Sequence, residues 1–345
     1  MIVRSRAPLR LGLAGGGTDL SPFCDEYGGA VLNCTIDRYA YAFLEPRQDG
    51  AVVFRARDLD LEEKHAAGGV IDAADGLRLH RGIYNSFLRR GVLDGGCGLT
   101  VTTTVDAPAG SGLGSSSALV VAICEAFRAF CRAPLGLYDL AHLAFEIERV
   151  DLLLAGGKQD QYAAAFGGIN FIEFLRGDRV VVNPLRVDQQ IINEFETSLV
   201  ACFSGVSRQS AKIIEQQTNN MQKRDPPALK ALMELKDAAH EMKDALLRGD
   251  MALMGAILDR SWLSKKQTSD AISNDSLERM FDTGRKAGAY AGKISGAGGG
   301  GFIFFLVPPT ERSSVIGKLR GAGAEAGPVH LTSKGVETWT VQPRI

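Results

Sequence analysis

The first part of the chain alternates apolar and polar residues in short segments separated by turns. The pattern of residues 1–60 predicts strands and turns. Within them, residues 30–47 and 51–56 flank Gln48, Asp49 and Gly50 as a predicted hairpin. A second hairpin is predicted where NFIEFL and RVVVNPL flank an Arg-Gly-Asp turn at residues 176–178.

Helical spacing of apolar residues appears in the middle of the chain and again near its end. Residues 116–132 and 138–154 predict two helices, the first of which follows the β-like segment LTVTTTV. After residue 207 the pattern is mainly helical, with a strand predicted after a late glycine cluster. The helices predicted here are residues 207–218, a helix that begins at Asp225 and Pro226, residues 250–266, and residues 275–287 followed by Gly288.

These elements predict a mixed α+β protein of two domains. A length of 345 residues fits two domains of ordinary size. The change from mixed strands and helices to a mainly helical pattern places the boundary near residues 185–195. We therefore expect an N-terminal domain at residues 1–187 and a C-terminal domain at residues 188–345.

Composition and charge exclude several classes of function. The 39 basic and 40 acidic residues give a net charge of −1, which argues against general nucleic-acid binding. The longest apolar runs, such as residues 118–124 and 302–307, are too short to cross a membrane, and Arg4, Arg6 and Arg10 interrupt any secretory signal. The 6 cysteines form no CxxC pair and the 5 histidines no HExxH motif. We expect a soluble, cytoplasmic protein without a zinc site.

Glycine is the residue type whose distribution indicates chemistry. Of the 40 glycines, many fall in three clusters, at residues 12–17, 110–114 and 296–301. The second cluster lies between a predicted strand and a predicted helix, where unpaired backbone N–H groups and the helix dipole favour a phosphate. Ser115, Ser116 and Ser117 follow it and could cap the helix or bind a Mg²⁺ ion carried by the phosphates.

Two better-known nucleotide motifs do not fit these clusters. A Walker A loop ends in Gly-Lys-Ser/Thr, and no lysine follows Gly114. Gly296, Gly298 and Gly301 have the spacing of a dinucleotide-binding fingerprint, but they precede a predicted strand instead of opening a helix. A dehydrogenase is therefore not predicted.

A second group of polar residues lies in ERVDLLLAGGKQDQYAAAFGG, at residues 148–168. Glu148, Lys158 and Asp160 are charged residues in apolar surroundings, beside a glycine-broken turn. This segment leaves two interpretations open. The carboxylates could act in catalysis, or Glu148 could pair with Arg149 or with solvent and Asp160 could be a turn residue.

Four blocks occur in a fixed order along nearly the whole chain: APLRLGLAGGGTDL at residues 7–20, PAGSGLGSSSA at 108–118, GGKQDQ at 156–161 and KISGAGGGGF at 293–302. In this order and at this spacing they resemble the GHMP small-molecule kinases, and among these most the D-glycero-D-manno-heptose 7-phosphate 1-kinases. The resemblance implies an α+β fold with a ribosomal-protein-like N-terminal domain, a ferredoxin-like C-terminal domain, and an active site in the cleft between them.

The resemblance also implies roles for individual residues. ATP phosphates would be held by Gly110, Ser111, Gly112, Leu113, Gly114, Ser115, Ser116 and Ser117, and Mg²⁺ by Ser116 and Glu148. Asp160 would be the catalytic aspartate and Arg10 would offset the charge of the transferring group. Acceptor contacts are expected from Asp19 with Gly16, Gly17 and Thr18, from Lys158 and Arg208, and from Gly298 and Gly299.

The implied reaction is ATP-dependent phosphorylation of the anomeric hydroxyl of D-glycero-D-manno-heptose 7-phosphate to the 1,7-bisphosphate, for nucleotide-activated heptose and surface glycans. Galactokinases carry Gly-Glu-His-Thr-Asp where this chain has residues 15–19, GGGTD. The missing acid removes repulsion toward a phosphorylated acceptor, whose phosphate Lys158, Arg208 or Lys212 could bind. Alternatives are a fucokinase- or galactokinase-like enzyme and a non-catalytic sugar or ATP sensor. A homodimer is left open.

Overall fold

Strand β2 (Gly29–Arg47) is the centre of the larger sheet in this computed structural model, which describes residues 1–205 and 210–342. Residues 32–44 of β2 pair with β1 (Ile2–Ala14), whereas the other edge of β2 is shared by β6 (Ile169–Leu175) near its start and β5 (Gly98–Val105) near its end. The remaining strands are β3 (Ala51–Ala56) and β4 (Leu61–Ala66) beyond β5, β7 (Arg179–Pro184) beyond β6, and β12 (Glu337–Val341) beside β1.

The predicted hairpin of residues 30–47 and 51–56 is wrong, because β5 lies between its two strands. β2 pairs with β5 in antiparallel orientation and β3 pairs with β5 in parallel. A Cβ atom built on Gly98 would lie 3.1 Å from the carbonyl oxygens of Arg47 and Ala51, so this glycine allows β5 to enter the gap. The turn at residues 48–50 is real, but a local pattern does not show which distant strand occupies the place beside it. The hairpin of β6 and β7 is confirmed.

Helix α3 (Ser115–Cys131) packs across β1 and β2 and covers the core of this sheet. Its side chains Val120, Ile123 and Phe127 are fully buried. The other helices of this half are α1 (Phe23–Tyr27), α2 (Arg78–Arg89), α4 (Leu137–Phe145) and α5 (Gln159–Phe166). The single helix expected over residues 138–154 is wrong in its second half, where a π-helical turn, Glu146–Asp151, follows α4. Such turns re-aim side chains, and this one carries Glu148.

The second sheet contains β8 (Leu199–Phe203), β9 (Ala291–Ile294), β10 (Phe302–Leu306) and β11 (Glu325–Pro328), in the order β11-β8-β10-β9. All its pairs are antiparallel, and this order is the ferredoxin-like arrangement. The helices of this half are α6 (Gln189–Thr197), α7 (Ser210–Gln222), α8 (Pro226–Arg248), α9 (Met251–Lys266), α10 (Asp275–Lys286) and α11 (Arg312–Gly321).

The helix boundaries expected from capping residues are confirmed for α8 and α9. Asp225 accepts a hydrogen bond from the backbone N–H of Ala228, and Asp250 accepts one from that of Leu253. These bonds satisfy N–H groups that a helix start leaves unpaired. The predicted start at residue 207 lies outside the described residues, and the described part of that helix is α7.

The α+β class is confirmed. One face of the second sheet, with Phe304 and Leu306, shares the core of the first sheet, whereas its other face, with Ile303 and Phe305, has a core of its own. The division of the chain at residues 187 and 188 stays a prediction. After β11, the chain returns to the first sheet, where β12 pairs with β1. Within the parts of the chain that the structure describes, no helix combines the length and the apolar character needed to span a membrane.

Candidate active site

The second glycine cluster forms the predicted loop before α3. Gly110, Gly112 and Gly114 have positive φ angles of 72°, 79° and 73°, which side chains other than glycine rarely adopt. No side chain among the described residues caps the start of α3, which leaves its first N–H groups available to a ligand. The loop and helix therefore have the geometry of an anion site.

The third glycine cluster packs against this loop. A Cβ on Gly301 would overlap the carbonyl oxygen of Ser111, and one on Gly112 would overlap that of Ser295. The N–H of Phe302 donates to the carbonyl oxygen of Ser111 at 2.8 Å. The two glycine clusters thus hold the loop by backbone contacts that leave no room for side chains.

Arg10 and Asp160 form a bidentate ion pair on one wall of the site. The Nε and Nη2 atoms of Arg10 donate to the two carboxylate oxygens of Asp160 at 2.7 and 2.9 Å. Nη1 of Arg10 donates to the carbonyl oxygen of Gly112, so the same guanidinium also ties the pair to the glycine loop. Asp160 lies in the first turn of α5, and its side chain is 21% exposed whereas that of Arg10 is 4% exposed.

Glu148 and Ser116 meet on the neighbouring wall. The Ser116 hydroxyl donates to Oε1 of Glu148 at 2.9 Å, and the Gln161 amide donates to Oε2 at 2.6 Å. Glu148 is fully buried, and its nearest cation is Arg149, 3.6 Å from Oε1. A hydroxyl beside a buried carboxylate, open to a phosphate site, fits Mg²⁺, which prefers oxygen ligands and takes one or two carboxylates together with phosphate oxygens. No group of three potential ligands among His, Cys, Asp and Glu occurs in the described residues.

Asp19 is a buried residue that lines the same cavity. Its carboxylate accepts hydrogen bonds from the N–H of Gly17 at 3.1 Å, from the N–H of Gln159 at 3.1 Å and from the Gln159 side chain at 3.3 Å. A Cβ on Gly157 would overlap this carboxylate. Asp19 is therefore held in place by backbone donors, and unused lone pairs remain for a ligand's hydroxyl groups.

Two buried lysines, which sequence reasoning missed, lie beside this group. Lys265 donates to the carbonyl oxygen of Gly16 at 2.9 Å, and burial lowers its pKa to about 8 although Asp19 opposes this shift. Lys293 lies near the carbonyl oxygens of Gly12 and Leu13, and burial, with help from Lys265 and Arg10, lowers its pKa to about 7. The sequence gives no clear sign of Lys265, which lies in the last turn of a helix, where exposed cations are usual. Lys293 opens the fourth block, KISGAGGGGF, but no role was predicted for it.

Arg10, Asp19, Ser116, Glu148, Asp160 and Lys265 all line one cavity of about 290 Å³. Both halves of the chain contribute to it, the C-terminal half through α7, Lys265, Gly296 and Ala297. The structure brings together here most of the residues expected in the site: Arg10, Gly16, Gly17, Asp19, Gly110, Gly112, Gly114, Ser115, Ser116, Ser117, Glu148 and Asp160.

The other expected residues lie around this cavity without lining it. The Thr18 hydroxyl donates to the carbonyl oxygens of Gly15 and Ala30, and Ser111 and Leu113 are buried under the loop. Gly298 and Gly299 pack against Ile272. Lys212 is exposed, and Arg208 lies outside the described residues.

Lys158 does not line this cavity, and its ammonium group already has partners. It is 2.5 Å from Oδ1 of Asp178 and 3.7 Å from Oδ1 of Asp25, and it lies over the ring of Phe145. It lines a second, neighbouring pocket of about 550 Å³. A lysine neutralised in this way is a weak candidate for a substrate phosphate.

Comparison with known proteins gives the same assignment across the whole chain. Residues 78–168 match the GHMP kinases N terminal domain and residues 242–325 the GHMP kinases C terminal family. The chain is 41% identical to a D-glycero-alpha-D-manno-heptose 7-phosphate kinase from Campylobacter jejuni, over 98% of this chain and 99% of that protein.

Solved structures agree with this comparison. A D-glycero-D-manno-heptose 1-phosphate kinase from Bacteroides thetaiotaomicron has 40% identity and a TM-score of 0.84, with 99% of both chains covered. The Lactococcus lactis galactokinase complexed with galactose shares the fold, with a TM-score of 0.77 over 97% of this chain and 95% of the other, at 17% identity. With these matches along its full length, the chain is a phosphotransferase that belongs to the GHMP kinase family.

Proposed function

We propose that this protein transfers the γ-phosphoryl group of MgATP to the anomeric hydroxyl of D-glycero-D-manno-heptose 7-phosphate. The products would be the 1,7-bisphosphate and ADP. The observation that carries this proposal is the convergence of an uncapped helix start, the Ser116–Glu148 pair and the Arg10–Asp160 pair on one cavity. Positioning and charge neutralisation are what phosphoryl transfer requires of a protein.

The loop before α3 would receive the ATP phosphates. Its three glycines with positive φ turn the backbone around the anion, and the N–H groups of residues 115–117 point along the start of the helix. Ser116 and Glu148 would hold Mg²⁺ at this place. The bound ion would neutralise charge on the phosphate oxygens.

Asp160 and Arg10 would act on the acceptor and on the transferring group. The anomeric oxygen forms its bond to the γ-phosphorus while the bond from that phosphorus to the bridging oxygen of ADP breaks. The proton of the hydroxyl goes to a carboxylate oxygen of Asp160, which Arg10 holds in one orientation. The guanidinium also lies where it can offset negative charge beside the glycine loop.

The choice of acceptor is supported by the relatives and by the loop at Gly16 and Gly17. The two heptose phosphate kinases described above, one found by its sequence and one by its structure, have sequence identities of 41% and 40% with this chain. The loop has no acidic side chain at these two positions, where galactokinases have Glu and His. A phosphorylated acceptor would therefore meet less repulsion here.

A panel of acceptors tests this proposal. The purified protein would be given MgATP with heptose 7-phosphate, unphosphorylated heptose, fucose or galactose. We expect ADP release mainly with heptose 7-phosphate, and phosphorus NMR should show a new anomeric phosphate. Equal turnover of fucose or galactose would contradict the proposed acceptor, and no ADP release with any sugar would contradict the proposed activity.

A further inference from the structure

The ammonium group of Lys265 lies at the acceptor side of the cavity without an ionic partner. Its side chain is buried, and one of its three N–H donors binds the carbonyl oxygen of Gly16. No carboxylate of the described residues lies within ion-pair distance of it, and Asp19 attracts it only from farther away. Lys158, in contrast, has ion pairs with Asp178 and Asp25. A buried cation is costly unless it is paired, so an anionic ligand would stabilise it.

The surrounding backbone keeps space open around this ammonium. A Cβ on Gly17 would lie 3.1 Å from Nζ of Lys265, and the φ of +106° at Gly17 also favours glycine. Gly16 has no positive φ, and a Cβ there would meet only Gln159, at 3.7 Å. The backbone beside the ammonium group of Lys265 therefore consists of two glycines, which leave space there for a ligand.

The position of Lys265 relative to Asp160 suits the far end of a sugar phosphate. Arg10, which binds Asp160, stands four residues before the end of β1, a separation of about 13 Å along an extended strand. Gly16 and Lys265 lie beyond that end. Arg10, Asp160 and Lys265 line the same cavity, and Arg10 is near enough to Lys265 to lower its pKa. A sugar phosphate bound in this cavity can therefore contact Asp160 at one end and Lys265 at the other.

We propose that Lys265 binds the distal phosphate of the acceptor and selects phosphorylated over unphosphorylated sugars. This inference rests on the proposed function, and it names a specificity residue that differs from the lysine and arginine expected from the sequence. Asp19, which lines the same cavity, would bind hydroxyl groups of the same sugar. Lys265 would act only in binding, with no part in the transfer itself.

The test compares Lys265→Met and Lys265→Arg with the wild type on heptose 7-phosphate and on unphosphorylated heptose. We expect Lys265→Met to lower kcat/KM for the phosphorylated sugar by about 10- to 100-fold relative to that for the free sugar, mainly through KM. Lys265→Arg should recover part of this preference, because it keeps the charge. An equal loss on both sugars would overturn the proposal and indicate a structural link between α9 and β1.

If Lys265→Met does not fold, a matched pair of substitutions at Gly16 provides a second test. Gly16→Glu places a carboxylate beside the ammonium, whereas Gly16→Gln adds nearly the same volume without charge. We expect the preference for heptose 7-phosphate to fall at least about 10-fold further in the glutamate variant. Equal preference in the two variants would overturn the proposal. If the wild type itself shows no preference for the phosphorylated sugar, the proposed acceptor fails as well, which the wild-type measurement alone reveals.

Discussion

Asp160 and Arg10 show how one pair of side chains serves both catalysis and stability. The guanidinium binds both oxygens of the carboxylate, so the carboxylate cannot rotate away from the cavity. The pair is largely removed from water, and loss of one partner would leave a buried charge. A substitution here is thus expected to change both rate and stability, and the two effects have to be measured separately.

Replacement of Asp160 by Asn should lower kcat by about 10²- to 10⁴-fold with little change in KM for ATP, because the amide cannot accept the proton of the acceptor. The unfolding free energy should fall by about 1–3 kcal/mol, since Arg10 loses one charge-assisted hydrogen bond. An ADP-release assay and denaturant melts measure the two effects. A loss in kcat below 10-fold would show that Asp160 only orients the acceptor.

Lys293 predicts a specific dependence of stability on pH. Its pKa is about 7 in the folded protein and near 10.4 in an unfolded chain. Between these values the unfolded state binds a proton that the folded state lacks, so the free energy of unfolding rises with pH across this window. Below about pH 7 both states carry the charge, and this gain is absent.

The Lys293→Met variant lacks the group that binds this proton. Its free energy of unfolding should therefore rise less with pH than that of the wild type. Denaturant melts at pH 6, 7.5 and 9 would compare the variant with the wild type. Replacement of the exposed Lys318 by Met is the control for loss of one positive charge. Parallel profiles for the wild type and Lys293→Met would contradict the role given to burial.

Sequence reasoning found the carboxylates of the site but not its lysines. Glu148 and Asp160 could be named because charged residues in apolar surroundings, and a family motif, drew attention to them. Lys158 belongs to the same motif, yet its charge is taken up by Asp178 and Asp25. Lys265 belongs to no motif, and only packing of α9 against the first glycine cluster brings it to the cavity. Pairing between distant side chains is not encoded in local spacing.

At the scale of elements, the contact between the second and third glycine clusters fixes the phosphate loop. Gly112 has a positive φ, and a Cβ there would overlap the carbonyl oxygen of Ser295. Arg10 binds the carbonyl oxygen of the same glycine. A displacement of this residue would therefore move the loop, the arginine and the third cluster together.

Gly112→Ala should lower the unfolding free energy by at least about 1–2 kcal/mol from the backbone conformation alone, and the rate of phosphoryl transfer by more than about 10-fold. Gly317→Ala is a matched control, because Gly317 lies in α11 with no atom within 4 Å of an added Cβ. This control should gain about 0.5–1 kcal/mol. Thermal melts and the ADP-release assay compare the two variants. Equal stability and equal rates would contradict the close packing of Gly112 against Ser295.

Elements defined by local signals were predictable, and those that depend on partners were not. The caps of α8 and α9 and the hairpin of β6 and β7 follow from residues within a few positions of each other. β4 and α2 were not predicted, because their residues are mixed in polarity. No residue of β4 is buried, and the buried face of α2 forms only against the rest of the domain. The π-helical turn after α4 has the same apolar spacing as an ordinary helix, so the pattern cannot distinguish them.

At the scale of the whole molecule, the cavity depends on contacts between the two halves of the chain. Arg10 of β1 donates to Ser295, and Lys265 of α9 donates to Gly16. The class of the fold followed from the order of strands and helices, but these cross-contacts did not. The resemblance of the four motifs to the GHMP kinases implied an active-site cleft between two domains, and the structure shows which residues line the cavity.

The place of β5 between β2 and β3 has a consequence for the order of folding. β3 and β4 can form a hairpin at once, since only four residues separate them. That hairpin has no place in the sheet until β5, more than 30 residues further along, has paired with β2. During synthesis it must therefore remain beside the growing sheet with an unpaired edge until β5 arrives, and α3, which follows β5 in the chain, covers the core only after that.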